Sequence, residues 1–317
     1  GFSLIEFMVT VTVSILIISA SFSLFQKSLA SHDLSQNTVD LQQNIRTSLN
    51  LLARDFLVAG AEITIGGIPV PTSFMPGGVL YPIMPGYRRG PTINGVATDR
   101  VTVVYGQFAL QNLESDNSIT YQVNRIAPTG GQIQLDVSGS NPSASSIQPG
   151  DVLLIKTAVG GLSALGYVTG RDAGSSTISF AVGDPLSLNA SGATSPVGNL
   201  SCQNHGGSAS CVDLATAFKV NIVQFFIDVS TGEPLLMRRL NGAEPTPLGT
   251  EIENLQITYV LGDATTSGDP ANPPDIRKAN VFLLGRSKTR GPDQAFYRFP
   301  LGTQVATRNL AYTARSR

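Results

Sequence analysis

The sequence predicts an α+β protein. One long N-terminal helix, apolar in its first half and amphipathic in its second, packs on a mostly antiparallel β body with long loops. Three observations carry that reading. Residues Phe2 to Phe25 hold no Pro, no Gly, no basic residue and a single carboxylate, Glu6. From Gln26 the apolar residues thin to one stripe, Leu34, Leu41, Ile45, Leu49, Leu52 and Phe56, whose spacing is that of a helix with one buried side. After Gly60 short runs of β-branched and aromatic residues are broken by Gly, Pro, Asn and Ser, the pattern of strands and turns.

Composition narrows the class. At 317 residues the chain is long enough for one large domain or two modest ones, with ample core. Lys plus Arg (21) nearly cancel Asp plus Glu (22), and only 14% of residues are charged. No basic field draws in nucleic acid and no acidic tail is present, so no nucleic-acid partner is expected.

The first element is the helix. As a helix, Phe2–Phe25 is about 36 Å long, more than the roughly 30 Å hydrocarbon thickness of a bilayer, so it is expected to span one with some tilt. A secretory signal peptide fits poorly: the apolar run is too long, and neither a basic n-region nor a small-residue cleavage site flanks it. A core helix apolar on all sides would need a core wrapping every face. No Pro precedes Pro69 and no Gly lies between Gly1 and Gly60, which predicts one continuous helix of about 55 residues capped at Gly60. The chain thus divides into a membrane-spanning half (1–25), an amphipathic half (26–60), a connection (61–99) and a β-rich body (100–317). In the connection, six Pro between Ile68 and Pro91 predict irregular structure. Strands are expected in "RVTVVYG", "SITYQVN", "GQIQLDV", "GDVLLIKTA", "STISFAV", "FKVNIVQFFIDV", "PLLMRRL", "NLQITYVL", "KANVFLLGR" and "GTQVATRNL".

The opening "GFSLIE", joined to this helix, resembles the processing and assembly motif of type IV pilins and pseudopilins. The resemblance implies a type IV pilin-like fold and cleavage by a prepilin peptidase between Gly1 and Phe2, behind a basic leader. It also implies N-methylation of the Phe2 amine and an assembly role for Glu6, the fifth residue after the cut, whose carboxylate would pair with the N-terminal amine of a neighbouring subunit. A lone carboxylate in lipid is costly, and a nearby opposite charge removes much of that cost. The other reading is a Glu6 near the interface that simply protonates. Major pilins usually carry Gly and Pro inside the apolar helix; "SILIISASFS" has neither, as in many pseudopilins and minor pilins. Ser14, Ser19, Ser21, Ser23 and Ser28 could still bend the helix by bonding back one turn. In the C-terminal half, "IQPGDVLLIKT", "VQFFIDVSTGEPLLMRRLNG", "LGTEIENLQITYVLGD" and "IRKANVFLLGRSKTR" follow one another as in PilW-like minor pilins and J-type pseudopilins.

The expected function is a structural subunit of an extracellular pilus-like filament, built from copies of itself or other pilins by a pilus assembly platform. It would start as a single-pass inner-membrane precursor of a bacterium. The alternative is a low-abundance PilW-like subunit that primes assembly and sits at the tip. A membrane-anchored adhesin or enzyme is a third class. Cys202 and Cys211, with eight residues between them in an exported body, are expected to form a disulfide. A Cys–His metal site with His205 lacks further ligands at any known spacing. No catalytic motif occurs, and His32 and His205 are the two histidines; no enzyme and no cofactor is expected. Asp263, Asp269 and Asp275 lie close in sequence, as calcium ligands would, but lack the EF-hand register. Arg88–Arg89 and Arg286, Lys288 and Arg290 are small basic spots without aromatic partners in the sequence pattern.

Overall fold

The computed structural model describes residues 3–64, 66–107, 120–138, 144–158, 161–172, 174–207, 213–291, 294–307 and 309–310, without the side chains of residues 30, 31, 33, 34 and 193. Its first element, α1 (Leu4–Val58), is one unbroken helix of 55 residues. Leu41, Ile45, Leu49, Leu52 and Phe56 of the predicted stripe are all buried; the side chain of Leu34 lies outside the described residues. At about 2 kcal/mol per buried side chain, the stripe holds the helix to the body by on the order of 10 kcal/mol, an upper estimate.

The helix ends one residue earlier than expected. Ala59, not Gly60, is the C-cap and is already extended. Gly60 follows at φ +78° and donates its N–H to Val104 O at 2.9 Å. The chain therefore leaves the helix by pairing directly with the sheet, a conformation that glycine adopts without strain.

The connection is more regular than its prolines suggest. It holds β1 (Ile68–Pro69), β2 (Val79–Leu80), β3 (Ile83–Gly86), β4 (Thr92–Ile93) and β5 (Val96–Ala97). Pro85 sits inside β3, which among the described residues pairs with a single strand, β6 (Arg100–Gly106). An edge strand needs only half its N–H groups for pairing, so proline is tolerated there.

The body continues with β7 (Tyr121–Ile126), β8 (Gln132–Leu135), β9 (Val152–Thr157), β10 (Ser163–Tyr167), β11 (Gly170–Asp172) and β12 (Thr177–Ser179). Then come β13 (Ala215–Asp228), β14 (Leu235–Leu240), β15 (Thr246–Thr250), β16 (Ile252–Leu261), β17 (Thr266–Ser267), β18 (Ile276–Arg290) and β19 (Phe296–Ala306). All pairings among the described residues are antiparallel.

The 14-residue β13 joins two halves of the larger sheet. Its N-terminal half pairs with β9 and β7, and its C-terminal half with β6 and β14. A second sheet runs in the order β17-β16-β18-β19. The buried stripe of α1 lies in one apolar cluster with Val103, Tyr105, Val223 and Phe225 of the first sheet and Leu255, Ile257, Val281 and Leu283 of the second. A separate cluster, around Ile133, Ile155, Ile178 and Phe180, fills the half of the first sheet beyond the helix's C-terminal end.

Candidate functional site

The most unusual surface of this protein is the first half of α1. Leu4–Leu29 form a 26-residue segment with a mean hydropathy of 2.1, none of it buried, and it is long and apolar enough to cross a membrane. Leu4, Ile5, Phe7, Met8, Ile15, Leu16, Ile17, Ile18, Phe22, Leu24 and Phe25 all stand exposed around its circumference. Four of its hydroxyls bond back within the helix. Thr10 donates to Glu6 O at 2.6 Å, Thr12 to Met8 O at 2.8 Å, Ser19 to Ile15 O at 3.1 Å and Ser21 to Ile17 O at 2.9 Å. Such bonds lower the penalty of placing a hydroxyl in hydrocarbon, and the helix stays unbroken through them.

Glu6 sits in the first turn and folds back on it. Its Oε2 accepts the N–H of Ser3 at 3.0 Å, while Ser3 Oγ accepts the N–H of Ile5 at 3.2 Å. The pair is a capping box that satisfies donors otherwise left bare at a helix start. "SLIE" is the S-x-x-E signature of that box, a signal missed in the sequence, where Glu6 was expected to pair with a neighbour's amine or to protonate. Gly1 and Phe2 lie outside the described residues.

The second half of α1 is anchored by polar groups as well as by its stripe. Asp55, 1% exposed, receives Arg238 Nη2 of β14 at 3.0 Å and Nε at 3.1 Å. Tyr105 of β6 donates to its Oδ1 at 3.2 Å. Burial, and then the Asp55 carboxylate, push the Tyr105 hydroxyl well above the ordinary tyrosine range, so it remains a donor. Neither partner of Asp55 was found from sequence; the readable signal is a lone carboxylate beside Phe56 on an apolar stripe. Lower on the helix, Asn44 Nδ2 donates to Thr250 O at 2.6 Å, and Asn37 Nδ2 to Thr289 Oγ1 at 3.0 Å.

Other carboxylates serve as staples. Glu251, just ahead of β16, holds Arg286 of β18 at 2.6 Å, and Glu253 of β16 holds Arg298 of β19 at 2.7 Å. Asp99 accepts the N–H groups of Arg88 and Ile257, each at 2.8 Å, and burial outweighs those bonds and raises its pKa. Asp184 accepts from Leu186, Leu188 and Asn189. Asp213 accepts from the backbone of Ile126 and Cys202, fixing the segment at the cysteine. Cys202 opens a short 3-10 turn and is disulfide-bonded; Cys211 lies outside the described residues. His205 is exposed, with its Nδ1 3.1 Å from Ser201 O.

Of the aspartates near residue 270, the carboxylates of Asp263 and Asp275 are engaged locally, and Asp269 donates its backbone N–H to Ser267 Oγ at 3.2 Å. Asp263 accepts from Thr265 N–H and Oγ1 at 2.9 and 2.7 Å, and Asp275 pairs with Arg277 at 3.0 Å. Among the described residues no group of three or more His, Cys, Asp or Glu side chains gathers as a metal site. The basic spots, by contrast, do have aromatic partners. The Phe296 ring lies 4.4 Å from the Arg286 guanidinium and 4.9 Å from that of Arg290, and Arg88 stacks on Tyr87. Phe296 was missed because the hairpin, not the sequence spacing, brings it back beside the arginines.

Compared with known proteins, the chain matches no family model, and at a significant level it matches no curated protein and no solved structure.

Proposed function

We propose that this protein is a subunit of an extracellular, type IV pilus-like filament, polymerising through the first half of α1 after release from the bacterial inner membrane. One observation carries the reading. A 26-residue apolar segment with no buried residue continues, without a break, into a helix half sunk in the β body. A helix apolar on every side needs a non-aqueous surround on every side. Lipid supplies it before assembly, and a bundle of like helices supplies it afterwards. A contact of this kind, repeated without closing, generates a filament. The pilin-like arrangement of helix and sheet, and the "GFSLIE" opening, belong to this reading. So do processing between Gly1 and Phe2 and pairing of Glu6 with a neighbour's amine, for which Glu6 would have to exchange its Ser3 N–H partner.

A second reading keeps the same chemistry but changes the abundance. The unbroken course of α1 through the segment where major pilins carry Gly and Pro favours a PilW-like priming or tip subunit. An intact-mass and abundance census of filaments sheared from the cell surface separates the two. Dominance of this chain, at a mass starting from methylated Phe2 and short of two hydrogens for Cys202–Cys211, is the result expected of a main building block. Trace amounts beside a shorter, abundant pilin would indicate the tip subunit. Complete absence from filaments would overturn both and leave a membrane anchor.

A further inference from the structure

We infer that Arg100 and Arg239, on the sheet face turned away from α1, form with the adjoining cleft a binding site for a carboxylate carried on a short aliphatic stem. Along β13, Val223, Phe225 and Ile227 belong to the apolar cluster beneath the helix. Successive side chains of a strand point to opposite faces, so Gln224 and Phe226 look the other way. Strand pairing brings the rest to that face. Gln224 lies opposite Thr102 of β6 and Arg239 of β14, and Arg100 stands next to the Val101–Phe225 pair, on the Phe226 side. The Arg100 guanidinium is 5.1 Å from the centroid of the Phe226 ring and that of Arg239 is 5.6 Å from it.

The two cations lack a counter-charge. Neither enters an ion pair among the described residues, and the Nε of each is buried without an acceptor. Burial, then Arg239 and then Arg89 pull the Arg100 pKa below the ordinary arginine value, and no carboxylate is near enough to raise it. The acidic side chains of the surroundings are engaged elsewhere or stand free in solvent. Asp99 accepts the N–H groups of Arg88 and Ile257, Asp184 those of Leu186, Leu188 and Asn189, and Asp228 bonds to Ser230. Glu244, in the turn after β14, is exposed and enters no ion pair among the described residues. The site therefore rests on two unneutralised guanidinium forks and not on net charge. Like charges held against one ring repel each other. A carboxylate accepting from both removes that cost and matches the planar forks.

The cleft sets the rest of the ligand. It has a volume of about 190 Å³ and is lined by Phe74, Met75 and Leu186 on its apolar side and by Thr102, Gln224 and Arg239 on the sheet. That is below the roughly 300–1,000 Å³ of a pocket for a drug-sized ligand, so it takes a short aliphatic stem and not a nucleotide. The Thr102 hydroxyl and the Gln224 amide are further donors along it. Arg239 belongs both to the cleft and to the stack on Phe226, so a stem lying in the cleft brings its carboxylate to the guanidinium pair.

The test uses the full chain in phosphatidylcholine nanodiscs, titrated with pentanoate labelled with carbon-13 at the carboxyl and followed by NMR. A saturable shift is expected, and each methylene beyond acetate should tighten binding by up to about fourfold. Arg100→Gln and Arg239→Gln should each weaken it about tenfold, Arg239→Lys should fall between because it keeps the charge without the fork, and Lys278→Gln on the second sheet should change nothing. Both Gln variants are expected to unfold at or above the parent's midpoint, since each relieves the repulsion. Absence of a saturable shift, equal affinity for acetate and pentanoate, or indifference to both Gln variants overturns the site. So does collapse of the fold in both, which would make the arginines structural. The same chemistry is offered by a free short-chain acid and by a glutamate side chain of a second copy. Sedimentation in detergent separates them, and both results uphold the site: oligomers dispersed by pentanoate and by Arg239→Gln assign the carboxylate to a second copy, and an unchanged oligomeric state assigns it to a free acid.

Discussion

Asp55 on α1 and Arg238 on β14, 183 residues apart in sequence, meet at 3.0 Å beneath the helix, with the Tyr105 hydroxyl completing the cluster. A buried pair of this kind punishes the loss of one partner more than the loss of both. Arg238→Met strands the Asp55 carboxylate and is expected to cost about 3 kcal/mol of unfolding free energy. Asp55→Leu added to it should restore most of the loss. Denaturant unfolding followed by tyrosine fluorescence measures both.

Stability should fall in alkali. Tyr259 and Tyr105 are buried, and burial raises both hydroxyl pKa values above the ordinary value, about 10 in the unfolded chain. With the folded value the higher one, the unfolded state loses its protons first as pH rises. Stability is therefore intact below about pH 10 and declines above it, by up to about 1.4 kcal/mol per pH unit per group. Tyr259→Phe removes one such group, and its stability curve above pH 10 should be shallower than that of the parent.

The two roles open to Glu6 separate by substitution. A capping box tolerates Gln at its third helical position, whereas pairing with an amine of a neighbouring subunit needs the charge. Glu6→Gln is expected to keep helix content and membrane insertion and to abolish incorporation into filaments. Normal filament yield from that variant would assign Glu6 to the cap alone.

The disulfide at Cys202 should matter locally. Closing so short a loop through Cys211 stabilises by about 2–3 kcal/mol in the chain-entropy model, and Asp213 adds a hydrogen bond to the Cys202 backbone. Reduction is expected to lower the stability of the body by that amount and to leave membrane insertion unchanged. Thiol titration with and without reductant, alongside unfolding curves, checks it.

Several features were written in local pattern. The 55-residue helix, its change of character near Gln26 and its buried stripe depend on the spacing of apolar residues, which acts within a few turns. Each of the ten expected runs contributes to a strand among the described residues, because alternation and β-branching are equally local. The errors arose where a local rule met a distant partner. Pro85 is compatible with β3 because β3 is an edge, and Gly60 yields the cap to Ala59 because Val104 O captures its N–H. β15 was overlooked because "TPLGT" has little strand character of its own; β14 supplies its pairing.

From the sequence alone one can read an apolar rod, an amphipathic continuation and a set of β runs, since hydrophobic period and turn chemistry are properties of neighbouring residues. Only the tertiary structure decided that β13 would join two half-sheets, that Asp55 would find Arg238 and Tyr105, and that Arg100 and Arg239 would meet over Phe226. Those contacts join residues tens to hundreds of positions apart. Their free energy depends on burial and geometry that no short stretch of chain possesses.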